Sequence, residues 1–263
     1  MIAGGTTMDD SHKDELRVLI AGESWITHSI HQKGFDSFTT TRYEEGVRWL
    51  REALEAAGIR VEYLPNHLAS SQFPSDTEQL GSYSAVILSD IGANTLLLHP
   101  DTFERSIPTP NRLSLLREYV SSGGGLVMVG GYMTFQGIEG RARYGGTSIE
   151  EILPVTLLPG DDRIEIPEGR CPRLVSGDHP IVANLPQEWP HLLGYNRVLA
   201  KPDATVIANV GEDPLLVAWD FGKGRTVAFT SDCAPHWCPE NFLSWAGYGQ
   251  LWQQLVQWVA ATK

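Results

Sequence analysis

The sequence predicts an α/β protein: a three-layer α/β/α sandwich with a mainly parallel sheet and an irregular insert in its second half. Short apolar runs alternate with amphipathic helical segments up to about residue 137, which is typical of a parallel sheet with helical crossovers. The alternation then fails between about residues 138 and 203, where Gly, Pro and charged residues are frequent. Hydrophobic residues form 42% of the 263 residues, enough for a large buried core.

The chain opens with a strand–helix–strand unit. Residues 16–21 form an apolar first strand, and a polar loop is expected to follow it. Thr41 and Glu44 have the spacing of a capping box, so we expect a helix to begin there. Gly58 suits the left-handed end of that helix, and residues 59–64 alternate as a second strand. The helix would bury one face, formed by Val47, Leu50, Leu54 and Ala57.

Further strands and helices complete the predicted core. Residues 85–89 form a third buried strand, and Pro110 would be tolerated at the first position of the next helix. Residues 126–129 form a fourth strand, because the apolar run is too short for a helix and has glycines on both sides. The remaining predicted elements are strands over 205–210, 215–219 and 225–230, a hairpin turn over 220–224, and a final helix that buries Leu251, Trp252, Leu255, Val256 and Val259.

Composition limits the cellular setting and the class of partner. Residues 1–15 are polar and lack a signal-peptide apolar region, so we expect a flexible tail before a single domain over 16–263. No apolar run approaches the roughly 20 residues of a membrane span. The net charge of −12 and the pI of about 5.1 argue against nucleic acid and membrane partners. Three cysteines cannot all pair, so we expect reduced thiols and a cytoplasmic protein.

Polar side chains follow four of the predicted strands. Because the carboxyl ends of neighbouring parallel strands meet at one edge of a sheet, we expect these side chains to line one crevice. Trp25 and Trp237 are expected beside them, where their rings could stack on a sugar. The first strand is followed by Glu23 and His28, the third by Asp90 and Asn94, the fourth by Tyr132 and Gln136, and the last by Ser231, Asp232, Cys233 and His236.

Three of these residues suit acid/base catalysis. Asp232 and His236 form a candidate pair in which the carboxylate orients the imidazole. The alternative is that Asp232 caps a turn while His236 only packs against its neighbour. Glu23 could act as a base or bind a substrate hydroxyl, or it could cap a local turn. Asp90 and Asn94 could bind substrate or only stabilise a tight turn, since both residue types satisfy nearby backbone groups.

Neither a metal nor a cofactor is predicted. Cys233, His236 and Cys238 lie close in sequence, but their spacing matches no zinc signature. Cys233 could instead be a nucleophile with His236 as its base, or a small buried hydrophobe. The glycines at 123–125 precede a strand rather than follow it, so the dinucleotide-binding fingerprint is not met.

Motifs over nearly the whole chain beyond the tail carry a resemblance to a known superfamily. They are the glycine turn at 130–131, the segments 178–181 (DHPI) and 221–225 (FGKGR), and also 22–25 (GESW), 33–36 (KGFD), 89–95 (SDIGANT), 194–196 (GYN) and 231–237. The set resembles the class I glutamine amidotransferase-like superfamily, in particular the glutamine amidotransferase branch near the ThuA-like proteins of trehalose utilisation. The resemblance implies a flavodoxin-like fold.

The chain departs from the superfamily at its catalytic turn. In the superfamily this elbow reads Gly-x-Cys-x-Gly and is often followed by His-Gln. Gly130 and Gln136 match that pattern, whereas Tyr132 stands in place of the cysteine and Thr134 in place of the second glycine. His236 lies in the region of the superfamily's catalytic histidine. Without the cysteine, that histidine cannot support the thioester mechanism.

Three functions follow as hypotheses. The first is an enzyme that acts on a small polar, sugar-like molecule, with Glu23, Asp232 and His236 as acid/base residues. Tyr132, Asn94 and Gln136 would then position the substrate. The second is a ligand-binding or assembly protein without catalysis, and the third, ranked last, is a glutamine hydrolase that uses Cys233. A small-molecule ligand is expected as partner, and a homo-oligomer is expected because such folds often assemble.

Overall fold

The computed structural model describes residues 15–261. Its strands, numbered in chain order, are β1 Arg17–Gly22, β2 Ser24–Lys33, β3 Asp36–Glu45, β4 Arg60–Leu64, β5 Ala85–Ser89, β6 Gly125–Val129, β7 Val155–Leu157, β8 Arg163–Arg170, β9 Arg173–Leu174, β10 Leu192–Asn196, β11 Val198–Ala200, β12 Thr205–Val210, β13 Asp213–Phe221 and β14 Gly224–Phe229. Its α-helices are α1 Arg48–Ala56, α2 Asn66–Gln72, α3 Thr77–Gly81, α4 Ala93–Leu97, α5 Pro100–Arg105, α6 Arg112–Ser121, α7 Ser148–Ile152, α8 Glu240–Leu243 and α9 Tyr248–Ala260. Short 3₁₀ turns lie at Ile138–Gly140 and Pro180–Val182.

An eight-stranded sheet forms the centre, in the order β4-β1-β5-β6-β14-β13-β12-β9. The first five strands are parallel to one another, and their order along the sheet is the 2-1-3-4-5 order of flavodoxin-like folds. Strands β13, β12 and β9 continue the sheet in antiparallel pairs. The predicted fold class, a flavodoxin-like α/β sandwich with a mainly parallel sheet, is therefore confirmed.

Each face of the sheet carries helices, which gives the three layers. Successive side chains of a strand point to opposite faces. In β1, Val18 and Ile20 pack into the core formed with α1 and α9, whereas Leu19 and Ala21 pack into the core formed with α3 and α6. Strands β5 and β6 are buried along their whole length, as expected for strands covered on both faces. The final helix buries its predicted face, including Trp252.

The segment expected to be a polar loop is a long exposed hairpin. Strands β2 and β3 pair in register over ten residues each and lie outside the central sheet. The capping-box interpretation of Thr41 and Glu44 is wrong, because both residues lie in β3, and the helix begins at Arg48. The Thr, Phe and Tyr residues of β3 favour a strand. Gly34, with φ of +61°, allows the tight turn.

Two other expectations about elements have different outcomes. Pro110 is not the first helical residue: α6 begins at Arg112, and Asn111 caps it by accepting hydrogen bonds from the N–H groups of Leu113 and Ser114. The region 138–203, predicted to be irregular, holds the strands β7 to β11 and also the helix α7, which was not predicted. The expected tail over residues 1–15 lies, up to residue 14, outside the described residues.

Candidate active site

A cavity of about 400 Å³ opens at the carboxyl ends of the parallel strands. Strands β1 and β5 are neighbours there, and in this fold the crevice between them is the usual ligand site because the chain leaves them in opposite directions. Strand β6 and the segment after β14 supply the other walls. The cavity is lined by Glu23, Trp25, Asp90, Tyr132, Asp232, Pro235 and His236.

Glu23 follows β1 and is almost completely buried, with 2% of its surface exposed. Its backbone has a φ of +50° and is held there by a hydrogen bond from its N–H to the carbonyl oxygen of Ser89, 2.8 Å away. The hydroxyl of Ser89 also donates to Glu23 Oε2 at 2.5 Å. Burial, and then the nearby charges of Asp232 and Asp90, raise the pKa of Glu23 well above its usual range. The carboxyl group therefore favours its protonated form.

Asp90 follows β5 and also adopts a left-handed backbone, with φ of +45°. Its Oδ1 accepts a hydrogen bond from the N–H of Met133 at 2.7 Å, which ties this turn to the loop after β6. Asn66 links the turn to the first loop, because its Nδ2 donates both to the carbonyl oxygen of Asp90 and to that of Ser24. Burial raises the pKa of Asp90.

Asp232 and His236 come from the segment after β14. The distance between Asp232 Oδ2 and His236 Nδ1 is 3.7 Å, which is close but longer than a hydrogen bond. Burial, and then the charge of Asp90, raise the pKa of Asp232, whereas burial lowers the pKa of His236. His236 has a φ of +146°, so Glu23, Asp90 and His236 all have backbone conformations that are costly for their residue types.

The glycine turn after β6 brings Tyr132 to the cavity. A Cβ atom at Gly130 would collide with the carbonyl oxygen of Thr230, so the close approach of the two chains requires glycine there. Asn196 holds the turn: its Oδ1 accepts from the N–H of Gly131 at 2.9 Å, and its Nδ2 donates to the carbonyl oxygen of Gly131. The position of the superfamily's cysteine therefore carries a phenol that faces the cavity.

Residues from the insert support the tyrosine and were missed in the sequence. The hydroxyl of Tyr132 donates to Glu165 Oε1 at 3.1 Å, and the guanidinium of Arg163 lies over its ring at 4.6 Å. The ring of His236 meets that of Tyr132 edge-on, with 4.3 Å between centroids. Glu165 lies in β8, where alternation gives no sign of a site. Asn196 is part of the GYN motif, which could have indicated a role.

The structure brings six of the ten predicted site residues to the cavity and leaves four away from it. His28 lies on the exposed hairpin, where its Nδ1 contacts Thr41 Oγ1. Asn94 lies exposed in α4. Gln136 stabilises its own loop by accepting from the N–H of Gly145. Trp237 is fully buried behind the cavity and donates to Glu165 Oε2 at 2.9 Å.

Cys233 lies beneath the cavity floor and is completely buried. Its Sγ is 3.6 Å from Ser89 Oγ and 3.9 Å from Glu23 Oε2. One atom each of Glu23, Asp232 and Cys233 lie within 4.8 Å of one another, which makes them the residues best placed to hold a cation among those described. Burial, and then the charge of Glu23, raise the pKa of the Cys233 thiol well above its usual range, so the reactive thiolate is disfavoured.

The fold, the glycine elbow and the cavity beside it define a protein of the class I glutamine amidotransferase-like type whose elbow lacks a cysteine. A family model described as "putative glutamine amidotransferase" matches residues 17–261. The chain therefore belongs to that family, as the resemblance of its motifs indicated. No curated protein matches the chain.

Solved structures agree with this assignment. The cytoplasmic protein STM3548 of Salmonella typhimurium is 46% identical, with a TM-score of 0.90 over 93% of this chain and 99% of that one. The cytoplasmic protein STM1381 of Salmonella typhimurium LT2 is 43% identical, with the same TM-score and coverage. A ThuA-like protein of Parabacteroides merdae is 14% identical, with a TM-score of 0.57 over 95% of this chain and 91% of that one, and so shares the fold. No helix among residues 15–261 is long and apolar enough to cross a membrane.

Proposed function

We propose that the chain is an enzyme that acts on a small polar, sugar-like molecule by acid/base chemistry in this cavity. The observation that carries the proposal is the meeting of Glu23, Asp90, Asp232 and His236 at one cavity, although they follow three different strands. Paired acids and bases with shifted pKa values in a cleft are typical of catalytic sites. The left-handed backbone at Glu23, Asp90 and His236 adds support, since such strain concentrates at functional sites.

The environments of these groups suggest separate roles. His236, whose pKa burial lowers, is neutral at neutral pH and can accept a proton, with Asp232 as its nearest carboxyl group. Glu23, whose pKa burial raises, can donate a proton from its neutral form. Trp25 and Tyr132 offer ring surfaces for a sugar. A cavity of about 400 Å³ has room for one such molecule.

A second candidate is a ligand-binding or assembly protein that lacks catalysis. The replacement of the elbow cysteine by Tyr132 favours it, because the family's nucleophile is absent at that position. Glutamine hydrolysis through Cys233 ranks last, because this thiol is buried and its pKa is raised. A cytoplasmic location belongs to the same proposal and rests on the two Salmonella relatives described as cytoplasmic proteins.

The proposal is tested by screening sugars and sugar acids for turnover and for a rise in the melting temperature. We expect at least one compound to be converted, and we expect His236→Ala to lower kcat by about 100-fold or more, the usual contribution of a general base. His28→Ala is the matched control, since His28 lies on the hairpin away from the cavity. Binding without turnover would favour the second candidate, and glutaminase activity lost in Cys233→Ala would favour the third.

A further inference from the structure

The cavity is rich in carboxyl groups, and their burial and mutual repulsion oppose the ionisation of all three at once. Glu23, Asp90 and Asp232 line it, and the lining contains no Lys or Arg. Arg163, whose guanidinium lies over the ring of Tyr132, is already paired with Asp161 at 2.8 Å. Like charges in a poorly solvated site repel one another strongly. The cavity therefore favours a ligand that brings positive charge.

Glu23 offers an oxygen that nothing in the described chain satisfies. Both of its side-chain hydrogen bonds, from Ser89 and Cys233, go to Oε2. Within residues 15–261 no donor reaches Oε1, although the residue is 98% buried and lines the cavity. Asp232 Oδ2 lies 3.7 Å from His236 Nδ1, which is beyond hydrogen-bond distance. Glu23 Oε1 is not sealed from solvent, so a ligand in the cavity can donate a hydrogen bond to it.

We propose that the ligand of this cavity carries a protonated primary amine, which donates to Glu23, Asp90 and Asp232. The inference rests on the proposed function and narrows its substrate class to amino sugars and similar small amines. An ammonium group has three N–H donors, one for each of the three carboxyl groups. A protonated Glu23 remains a suitable acceptor through its carbonyl oxygen. Trp25 and Tyr132 would contact the rest of the ligand.

A metal ion is the alternative occupant that the experiment must separate from an ammonium. Glu23, Asp232 and Cys233 each offer one ligand atom, and these three atoms lie within 4.8 Å of one another.

The inference is tested by thermal shift and calorimetry on the full chain, with D-glucosamine, D-galactosamine and ethanolamine as amine probes. D-glucose and N-acetyl-D-glucosamine are the matched probes that lack the positive charge. We expect at least one amine to raise the melting temperature where its neutral counterpart does not. Asp90→Asn, which keeps an acceptor for Met133, should weaken binding about tenfold or more. Asp203→Asn is the control, because Asp203 is exposed and away from the cavity.

Three other outcomes would overturn the inference. If glucose and glucosamine bind equally well and His236→Ala abolishes the binding of both, the amine is refuted. That result would not contradict the proposed enzyme. No preference for any amine probe would refute the amine without testing turnover, which the sugar screen measures separately. A rise in melting temperature with Zn²⁺ or Mn²⁺ alone, abolished by Asp232→Asn, would assign a metal site instead.

A second, independent observation concerns the hairpin of β2 and β3, which we name the arm (residues 24–45). All of β3 is exposed, and the arm pairs with no other strand of the described chain. Isolated two-stranded hairpins are barely stable in water. Apolar side chains nevertheless cover both faces and the tip of the arm: Trp25, Ile26, Ile30, Phe35, Phe38 and Tyr43.

We infer that the arm packs against a second copy of this chain. For large apolar side chains of about 150–250 Å² each, the exposed fractions correspond to roughly 700 Å². That is close to the area of about 800 Å² that each partner buries in a standard interface. A second copy supplies an equal arm, so one symmetric contact covers both arms, and two-fold dimers are the commonest oligomers.

Sedimentation equilibrium of the full chain tests this contact. We expect a dimer or a larger symmetric oligomer at micromolar concentration. Ile30→Glu with Phe35→Glu should give a monomer with an unchanged circular dichroism spectrum, because two charges enter the apolar contact. Thr27→Glu with Ser37→Glu adds the same charge at exposed polar positions of the arm that do not face each other, and should keep the oligomer. A monomeric wild type, or an oligomer that survives the first pair of changes, would refute the contact.

Discussion

At the scale of single residues, the chemistry of Glu23 depends on its neighbours more than on its type. An exposed glutamate would be charged at neutral pH, but burial and the charges of Asp232 and Asp90 oppose ionisation here. In the unfolded chain its pKa is near 4.5. The unfolded state therefore releases the proton first as the pH rises. Above about pH 4.5, the free energy of unfolding therefore decreases as the pH rises, because only the folded state still keeps Glu23 protonated.

Glu23→Gln should stabilise the folded protein by about 1 kcal/mol at pH 7–8. In a chain of this size, that gain raises the melting temperature by about 2–4 °C. Gln has the shape of the neutral acid, and its Oε1 can still accept from Ser89. The difference between variant and wild type should shrink as the pH falls toward 4.5. Differential scanning calorimetry from pH 4.5 to 8 measures it. Glu168→Gln, at an exposed site, should show no such trend, and a variant less stable than wild type at pH 8 would contradict the argument.

The three thiols should differ in reactivity because their exposures differ. Cys171 is exposed, whereas Cys233 and Cys238 are buried. Burial raises the pKa of both buried thiols. Titration with Ellman's reagent at neutral pH should therefore detect one thiol per native chain and all three after denaturation. Cys171→Ser should remove the native signal. Rapid labelling of Cys233 in the folded protein would restore it as a candidate nucleophile.

At the scale of elements, a local sequence signal predicted the structure correctly where its residues suit only one kind of element. The prediction failed where the same residues suit both a helix cap and a strand. Thr41 and Glu44 have capping-box spacing, yet the same segment is rich in the Thr and aromatic residues that favour a strand. The strand prevails because β2 can pair with it along its whole length. Helix α1 has Val47 at its N-cap and no side-chain cap, whereas Asn111 caps α6.

Asn111→Ala should lower the melting temperature by about 2–4 °C, because loss of an N-cap costs about 1 kcal/mol. The two orphan N–H groups that Asn111 now satisfies would lose their acceptor. Thr41→Ala is the matched control: Thr41 lies exposed in β3 and should change the melting temperature little. The opposite order of effects would support the capping box. Thermal denaturation followed by circular dichroism distinguishes the two.

At the scale of the whole molecule, the irregular insert is attached to the elbow through Asp162. This side chain is buried and accepts hydrogen bonds from the N–H groups of Gln136 and Gly137. It also accepts from Asn196 Nδ2, at 2.8 Å, and Asn196 in turn holds Gly131. One carboxylate thus connects the loop before β8, the loop after β6 and the end of β10.

Asp162→Asn should destabilise the protein by about 1–3 kcal/mol, because one amide oxygen cannot serve donors on both sides of the carboxylate. The amide nitrogen would face an N–H group of the loop. Urea denaturation measures the change in the free energy of unfolding. Asp203→Asn makes the same substitution at an exposed site and should change this free energy by less than about 0.5 kcal/mol. Equal effects of the two variants would refute the connecting role.

The sequence by itself determined the fold class, the buried strands and the edge of the sheet where the site lies. Short apolar runs such as 85–89 and 126–129 bury all of their side chains only as strands that are covered on both faces. Parallel strands also end at a common edge of the sheet. Only the tertiary structure decided which polar residues at that edge meet. Glu23, Asp90, Tyr132 and His236 reach the cavity, whereas His28 leaves it because its segment pairs into the arm. The contact of Tyr132 with Glu165 joins residues that are distant in sequence, and it depends on how the insert packs. A local sequence pattern contains no information about that packing.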